Sequence, residues 1–201
     1  VITSAMSGVT NELLSKTRKI AKEFSNAEKD VILSTGEQIA CALIAGKLND
    51  LGYVSRSWLS WQIPIITEGK YSSSRIVSVY KNKVLNYLKK GGIPIIAGFQ
   101  GINSDNRLTT LERGGSDATA IMCAKFFRAR ECIIYTDVEG VYTTDPRMIK
   151  SAKKIKNISY EEMLEMASLG AKVMQPASIQ DARLNRIDVK VKSSFKNKNG
   201  T

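Results

Sequence analysis

Apolar and polar positions divide the chain into short apolar runs and longer helical periods. Val1 to Ala5 reads as a strand that breaks at Ser4-Ala5-Met6-Ser7-Gly8, after which Leu13, Leu14, Thr17, Ile20 and Ala21 recur at helical spacing. From Ala27 to Leu51, the positions Val31, Ile32, Ile39, Ala42, Leu43 and Leu48 predict one helix or two consecutive ones, interrupted near Ser34-Thr35-Gly36-Glu37. Tyr53 to Trp58 and Ile63 to Thr67 read as strands, and Glu68 to Ser74 as a polar surface loop. Ile76 to Leu88 reads as a helix with Val77, Val84, Leu85 and Leu88 on one face, closed by Lys89-Lys90-Gly91-Gly92. Ile93-Pro94-Ile95-Ile96 and Cys132-Ile133-Ile134-Tyr135 are too short for helices and flanked by turn residues, the pattern of strands buried on both faces of a parallel sheet. Helical patterns follow at Ala118 to Phe127, Tyr160 to Leu169 and Ala177 to Leu184, with Lys150 to Lys156 as a solvated connector and Ile187 to Val191 as a last strand. Strands alternating with helices predict one domain, a three-layer α/β/α sandwich with a mainly parallel central sheet.

Candidate chemistry gathers at the breaks in this pattern. Gly114 and Gly115 let the backbone turn sharply, and Ser116 then stands where a helix N-cap is wanted. A helix N-terminus opening on a glycine turn offers free N–H groups and a positive dipole end to an anion, and Arg113 adds a forked cation. The same stretch also reads as nothing more than a capped helix after a turn. The loop from Ser4 to Gly8 is a second, weaker anion-site candidate of the same kind. Glu37, just after Ser-Thr-Gly, is either a first-turn or capping acid or a ligand-binding carboxylate. Gly98-Phe99-Gln100-Gly101 and Thr136-Asp137-Val138 follow predicted strands, and ligands of open α/β sheets bind at the carboxyl ends of strands.

Composition narrows the chemistry. At 201 residues, 43% hydrophobic and 24% charged, the chain is long enough for a substantial core. No apolar run approaches the roughly 18 residues of a membrane span, and no signal peptide is legible, so a cytoplasmic protein without a membrane partner is expected. Cys41, Cys123 and Cys132 lie in apolar stretches without Cys-x-x-Cys spacing and are expected to be buried thiols rather than a disulfide or zinc framework. The absence of histidine removes the commonest general base and the Ser-His and Cys-His pairs. The net charge of +11 draws anions such as nucleotides and acidic metabolites, or is simply a solvated basic surface. Nucleic acid is not an expected partner, because the lysine clusters lack interleaved aromatics.

Taken together, these residues give a chain that resembles the catalytic domain of aspartate kinases, within the amino acid kinase family. The resemblance spans nearly the whole chain. It rests on Ser4-Ala5-Met6-Ser7-Gly8-Val9-Thr10-Asn11, Gly36-Glu37, Gly98-Phe99-Gln100-Gly101, and Thr109-Thr110-Leu111 with Arg113-Gly114-Gly115-Ser116-Asp117. It continues through Thr136-Asp137-Val138 with Tyr142-Thr143-Thr144-Asp145-Pro146-Arg147, Gly170-Ala171-Lys172-Val173, and Ser193-Ser194-Phe195 with Gly200-Thr201, in the family's order.

The resemblance implies transfer of the γ-phosphoryl group of ATP to the β-carboxylate of L-aspartate, the first step toward lysine, threonine, methionine and diaminopimelate. By resemblance Glu37 takes the substrate ammonium, while Arg113 and the Gly115-Ser116 backbone, helped by Thr10, hold its carboxylates. Ser4 and Gly8 line the phosphate path; Thr136, Asp137, Tyr142 and Arg147 meet the nucleotide; Lys172 reaches its phosphates; Asp117 organises the catalytic lysines. Magnesium is expected on phosphate oxygens and water rather than in an acidic cluster, so no metal-ligating residue is assigned.

Departures from the family are expected to matter. The family's first strand, Lys-Phe-Gly-Gly-Thr-Ser with its phosphate-binding lysine, would precede Val1, so the fold is expected with that strand missing and activity near background. Glu112 stands where glycine is usual, and Gln175 where histidine is common. The regulatory ACT domains would follow Thr201, so inhibition by lysine or threonine is expected to be missing. An uncovered sheet edge leaves homo-oligomerisation open. Two rival readings stay beside this one: another amino acid kinase, such as a uridylate or glutamate kinase, and an inactive nucleotide-binding remnant.

Overall fold

The structure, a computed structural model, describes every residue except Lys172. Contacts divide the chain into two compact units, Val1–Phe127 and Arg128–Thr201.

In the first unit, strands β1 (Ile2–Thr3), β5 (Ile93–Ala97) and β2 (Ser55–Trp58) form a wholly parallel sheet in the order β1-β5-β2. The unbroken apolar run of β5 has a direct physical cause. Ile96 belongs to one core with Trp58, Ile63, Ile65, Val84, Leu111 and Met122. Its neighbours Ile95 and Ala97 belong to another, with Cys41 and Ala45 of helix α2 (Asn26–Asp50). Successive side chains of a strand point to opposite faces, so a strand covered on both must be apolar at every position. Burying an isoleucine this fully contributes on the order of 1.5–3 kcal/mol. A second sheet runs β4 (Ser73–Val79), β3 (Ile65–Lys70), β6 (Gln100–Ile102), β7 (Leu108–Thr110); β3 is antiparallel to β4 and parallel to β6, and β6 is antiparallel to β7. Helices α1 (Val9–Ile20), α3 (Asn82–Lys89) and α4 (Gly115–Phe127) complete the unit.

The second unit pairs β8 (Cys132–Thr136) with β9 (Val189–Ser193) in parallel, with helices α5 (Tyr160–Ser168) and α6 (Pro176–Asn185) packed on each other. Helix α5 opens on a full capping box: Ser159 Oγ accepts from the Glu162 N–H, and the Glu162 carboxylate accepts from the Ser159 N–H. Thr201 exchanges both backbone hydrogen bonds with Val191 and accepts a third at its hydroxyl from the Val141 N–H.

Four local expectations are corrected. The stretch 68–74 is not a loop but the heart of the β3–β4 hairpin, whose tip turns at Ser72 with φ 66°. The apolar residues Ile76 and Val77 belong to strand β4, and the following helix starts only at Asn82. The Ser-Thr-Gly-Glu segment does not interrupt α2, which runs for 25 residues without a break. Gly36 is buried there because a Cβ on it would lie 2.9 Å from the Ala5 Cβ, so its function is close packing rather than a turn. Helix α4 begins at Gly115, which puts Ser116 one residue inside it rather than at the cap. Helix α2 also passes, by length and composition, as apolar enough to cross a membrane. Its buried Asp30 and Glu37 and its packing on β2, β5 and β7 are those of a core helix. All three cysteines are buried free thiols, as expected.

Candidate active site

In the first unit the sequence-predicted residues gather at the carboxyl ends of β1 and β5. Both strands run the same way, paired Thr3 to Ala97, and the Gly98 N–H donates to the Thr3 carbonyl at 3.0 Å just beyond them. Gly98 is glycine for lack of room: a Cβ there would lie 2.9 Å from the Thr3 oxygen and 3.0 Å from Ser116 Oγ. The N-terminal turn of α4 is thereby pressed against the ends of the two strands. Gly115 has the same cause, since a Cβ on it would meet the Phe99 ring at 2.6 Å. Thr119 closes the corner, donating to the Gly115 carbonyl at 2.8 Å and accepting from the Phe99 N–H at 3.0 Å.

Glu37 enters this corner from α2. It is 4% exposed, and its Oε1 accepts from the Ala5 N–H at 3.0 Å, the loop of Ser4 to Gly8 being brought close by the bare Gly36. Its Oε2 is buried and has no hydrogen-bond partner among the described residues. Burial pushes the carboxyl above the usual carboxylate range, against the pull of the Ala5 N–H. An unpaired buried carboxylate oxygen is costly, and an ammonium group is the ligand that would relieve it.

Asp117 lies in the first turn of α4, where the helix dipole favours a carboxylate. Desolvation nevertheless dominates, raising its pKa to about 6, and it has no hydrogen-bond or ion-pair partner among the described residues. Arg113 is exposed and likewise unpaired, which leaves its fork free for an anion. Glu112 is exposed as well. Thr10 sits in the first turn of α1, which opens on Gly8 at φ 84° with no side-chain cap; Ser4 and Gly8 are exposed.

The nucleotide candidates of the second unit have a different setting. Thr136 ends β8, its carbonyl accepting from the Ser194 N–H at 2.8 Å and its hydroxyl donating to Asp137 at 3.1 Å. Tyr142 bridges to Lys154 across the loop. Arg147 is folded back on Asp145, donating from Nε and Nη2 at 3.1 and 2.9 Å. Lys172 lies outside the described residues. Gln175 stands at the N-cap of α6 without a side-chain bond to the helix. A cleft of about 640 Å³ in this unit is lined by Tyr160, Met163, Met174, Ile179, Val191 and Thr201, and Thr136, Asp137, Tyr142 and Arg147 are not among its lining residues. Among the described residues no three of Cys, Asp or Glu group to hold a metal ion.

The sequence reading passed over two buried polar residues of the first unit. Gln100 is fully buried, accepting from Gln38 at 3.2 Å and donating to the Ser34 carbonyl at 3.0 Å. Asp30 is fully buried too, with both carboxylate oxygens occupied. Its one sequence signal is the spacing of seven to Glu37, which puts two acids on one helix face.

Comparison with known proteins decides the family. The family model described as the amino acid kinase family matches residues 1–193. The chain belongs to the amino acid kinase family. Within it, the chain is 45% identical over all 201 residues to an aspartokinase of Geobacillus stearothermophilus and 44% identical to aspartokinase 2 of Bacillus subtilis, covering 49% of each. It thus spans about half the length of the curated relatives it matches. Among solved structures, aspartate kinase from Synechocystis superposes over the whole chain with TM-score 0.85 and 38% identity, the match covering 33% of that protein. Aspartokinase III of E. coli, solved with aspartate and ADP, superposes over 95% of the chain with TM-score 0.82 and 32% identity, covering 44% of that protein. The fold is that of the amino acid kinases, a mainly parallel sheet with helices, as the alternation of strand and helix predicted.

Proposed function

We propose that the chain is the catalytic portion of an aspartate kinase, with its two units acting as one domain, 1–201. The reaction is transfer of the γ-phosphoryl group of ATP to the β-carboxylate of L-aspartate, giving 4-phospho-L-aspartate and ADP. The observation that carries this reading is the buried, partnerless Oε2 of Glu37 at the carboxyl ends of β1 and β5. It suits the ammonium of an amino acid and gives no welcome to a nucleoside monophosphate. The relatives' names supply the rest.

A carboxylate nucleophile is already ionised at neutral pH, so a chain without histidine can run this chemistry. One oxygen of the β-carboxylate forms a bond to the γ-phosphorus as the bond to the β,γ-bridging oxygen breaks, and ADP departs with that electron pair. Catalysis rests on alignment and positive charge. Glu37 holds the ammonium; Arg113 and the N–H groups of Gly115 and Ser116 hold the carboxylates, with Thr10 beside them. Ser4 and Gly8 border the phosphate path. Thr136, Asp137, Tyr142 and Arg147 meet the nucleotide, Lys172 its phosphates, and Asp117 orients the cationic groups. Mg²⁺, if bound with the nucleotide, would be held by phosphate oxygens and water rather than by a dedicated protein cage, and would supply neutralisation of the charge on the transferring phosphoryl group. The expected setting is the cytoplasm and amino-acid biosynthesis.

The decisive experiment is run on the chain with the Lys-Phe-Gly-Gly-Thr-Ser strand and its following helix fused ahead of Val1; it traps the product with hydroxylamine, which converts an acyl phosphate to a hydroxamate, while ADP release is followed in a coupled assay. Hydroxamate with L-aspartate but not with L-glutamate or uridylate supports the reading. ADP release with another acceptor and none with aspartate would overturn it.

A further inference from the structure

Two acids on one face of α2 have opposite fates. Glu37 has one partner and a spare oxygen; Asp30, two turns earlier, has four partners and none to spare. Asp30 Oδ1 accepts from the hydroxyls of Ser72 at 2.7 Å and Thr110 at 2.8 Å. Its Oδ2 accepts from the N–H groups of the same two residues, both at 2.8 Å. A carboxylate so saturated, and fully buried, cannot bind a ligand.

The location of Thr110 gives the arrangement its consequence. It is the last residue of β7, which lies at the edge of its sheet with β6 on one side. On the other side Asp30 holds the Thr110 N–H and hydroxyl at once, and one residue later Leu111 bridges in parallel to Ser74 of β4. Three residues later comes Arg113, and then Gly114 at φ 81° and the start of α4. We infer that Asp30 is a positioning residue, setting the Arg113-Gly114-Gly115 turn at a defined distance from Glu37 on the same helix. It thereby sets the spacing between the group for the substrate's ammonium and the groups for its carboxylates. This rests on the aspartate kinase reading; the second arm, to Ser72, holds the hairpin tip and serves as the internal control.

The test uses the chain with four measurements: L-aspartate affinity and ATP affinity by calorimetry, melting temperature, and hydrogen exchange at residues 111–115. Asp30→Asn and Thr110→Val each weaken aspartate about tenfold, the value of one lost charge-assisted hydrogen bond, and leave ATP within about twofold. Thr110→Ser, which keeps the hydroxyl, restores the affinity. Ser72→Ala lowers the melting temperature comparably and leaves aspartate binding unchanged. Exchange at residues 111–115 speeds up in Asp30→Asn and Thr110→Val but not in Ser72→Ala. Unchanged aspartate affinity in a folded Thr110→Val, or equal weakening by Ser72→Ala, would overturn the inference. Should the wild-type chain fail to bind aspartate, the functional reading falls, while the exchange rates still decide whether Asp30 holds the turn.

Discussion

The candidate groups of the first unit and those of the second differ in how firmly the chain holds them. Glu37, Gly115 and Ser116 stand on helices whose approach is set by missing side chains at Gly36, Gly98 and Gly115, at each of which a Cβ would lie less than 3 Å from a neighbouring atom. Thr136 ends β8 and Asp137, Tyr142 and Arg147 lie beyond it, and the side-chain hydrogen bonds of Thr136, Asp137 and Arg147 go to residues only one or two positions away. On the proposed function the first group would be preorganised for a small substrate with three charges. The second is held locally and can adapt to a larger ligand. Mutations in the first should therefore change affinity for one ligand sharply, and mutations in the second should give smaller, graded effects.

The largest effect is expected at Glu37. Glu37→Gln removes the charge that an ammonium would pair with in a buried setting, where truncating one partner typically costs 2–5 kcal/mol. Aspartate affinity should fall on the order of a hundredfold with ATP little changed. Because burial raises the Glu37 pKa, wild-type affinity for aspartate should also fall with decreasing pH while still above the usual carboxylate range. The glutamine variant should lose that pH dependence. Equal loss for both ligands would break the contrast between the two units.

Asp117 offers a stability measurement on the same side. Its folded pKa, about 6, lies above the ordinary aspartate value of 3.8, so between those values the folded chain binds the proton more tightly than the unfolded one. Stability contributed by this group is then complete below pH 3.8, falls as pH rises, and is lost above pH 6. The difference corresponds to at most about 3 kcal/mol, less what solvent access takes away. Asp117→Asn should raise the melting temperature at pH 7.5 and leave it unchanged near pH 4. A variant that is less stable at pH 7.5 would mean that the carboxylate has a cationic partner.

How much of this was legible in the sequence follows from the range of the forces involved. Strand β5 could be read because burial on both faces demands an unbroken apolar run, and α1 because one buried face imposes a 3.6-residue period. The β3–β4 hairpin could not, since its polar residues 68–74 look like a loop until the partner strand satisfies their backbone. Gly36 looked like a helix breaker, and only its closeness to Ala5, 31 positions away, explains it. Ser116 looked like a cap because the turn before it was visible while the exact helix start was not. Glu37 and Arg113 were legible through the motif around them. Asp30 was not, because its four partners come from positions 72 and 110.

Arg113 should give the next smaller effect. A lysine keeps the charge but not the two parallel donors, so Arg113→Lys should weaken aspartate about tenfold and leave ATP within about twofold. Calorimetric titration of both ligands checks it. On the opposing side, Arg147 must leave Asp145 to reach a nucleotide, and that exposed pair is worth about 1 kcal/mol or less. Asp145→Asn should therefore tighten ATP by no more than about fivefold and leave aspartate alone.

The smallest effect is expected at Glu112, although its place in the sequence suggests otherwise. A carboxylate one residue from Arg113 invites the expectation that it repels an anionic substrate, since like charges within about 4–6 Å disfavour each other. The structure places Glu112 on the surface, with no ion pair to Arg113 and the turn of Gly114 following. A charge in water is screened over about 10 Å at ordinary ionic strength and interacts weakly even at contact. Glu112→Gly should therefore change aspartate affinity less than twofold at 0.15 M salt. Any tightening should grow as the salt is lowered to 0.01 M, where the screening length reaches about 30 Å. A gain of tenfold or more at 0.15 M would show that Glu112 turns inward when the substrate binds, and that the carboxylate end of the first unit's site is less preorganised than its ammonium end.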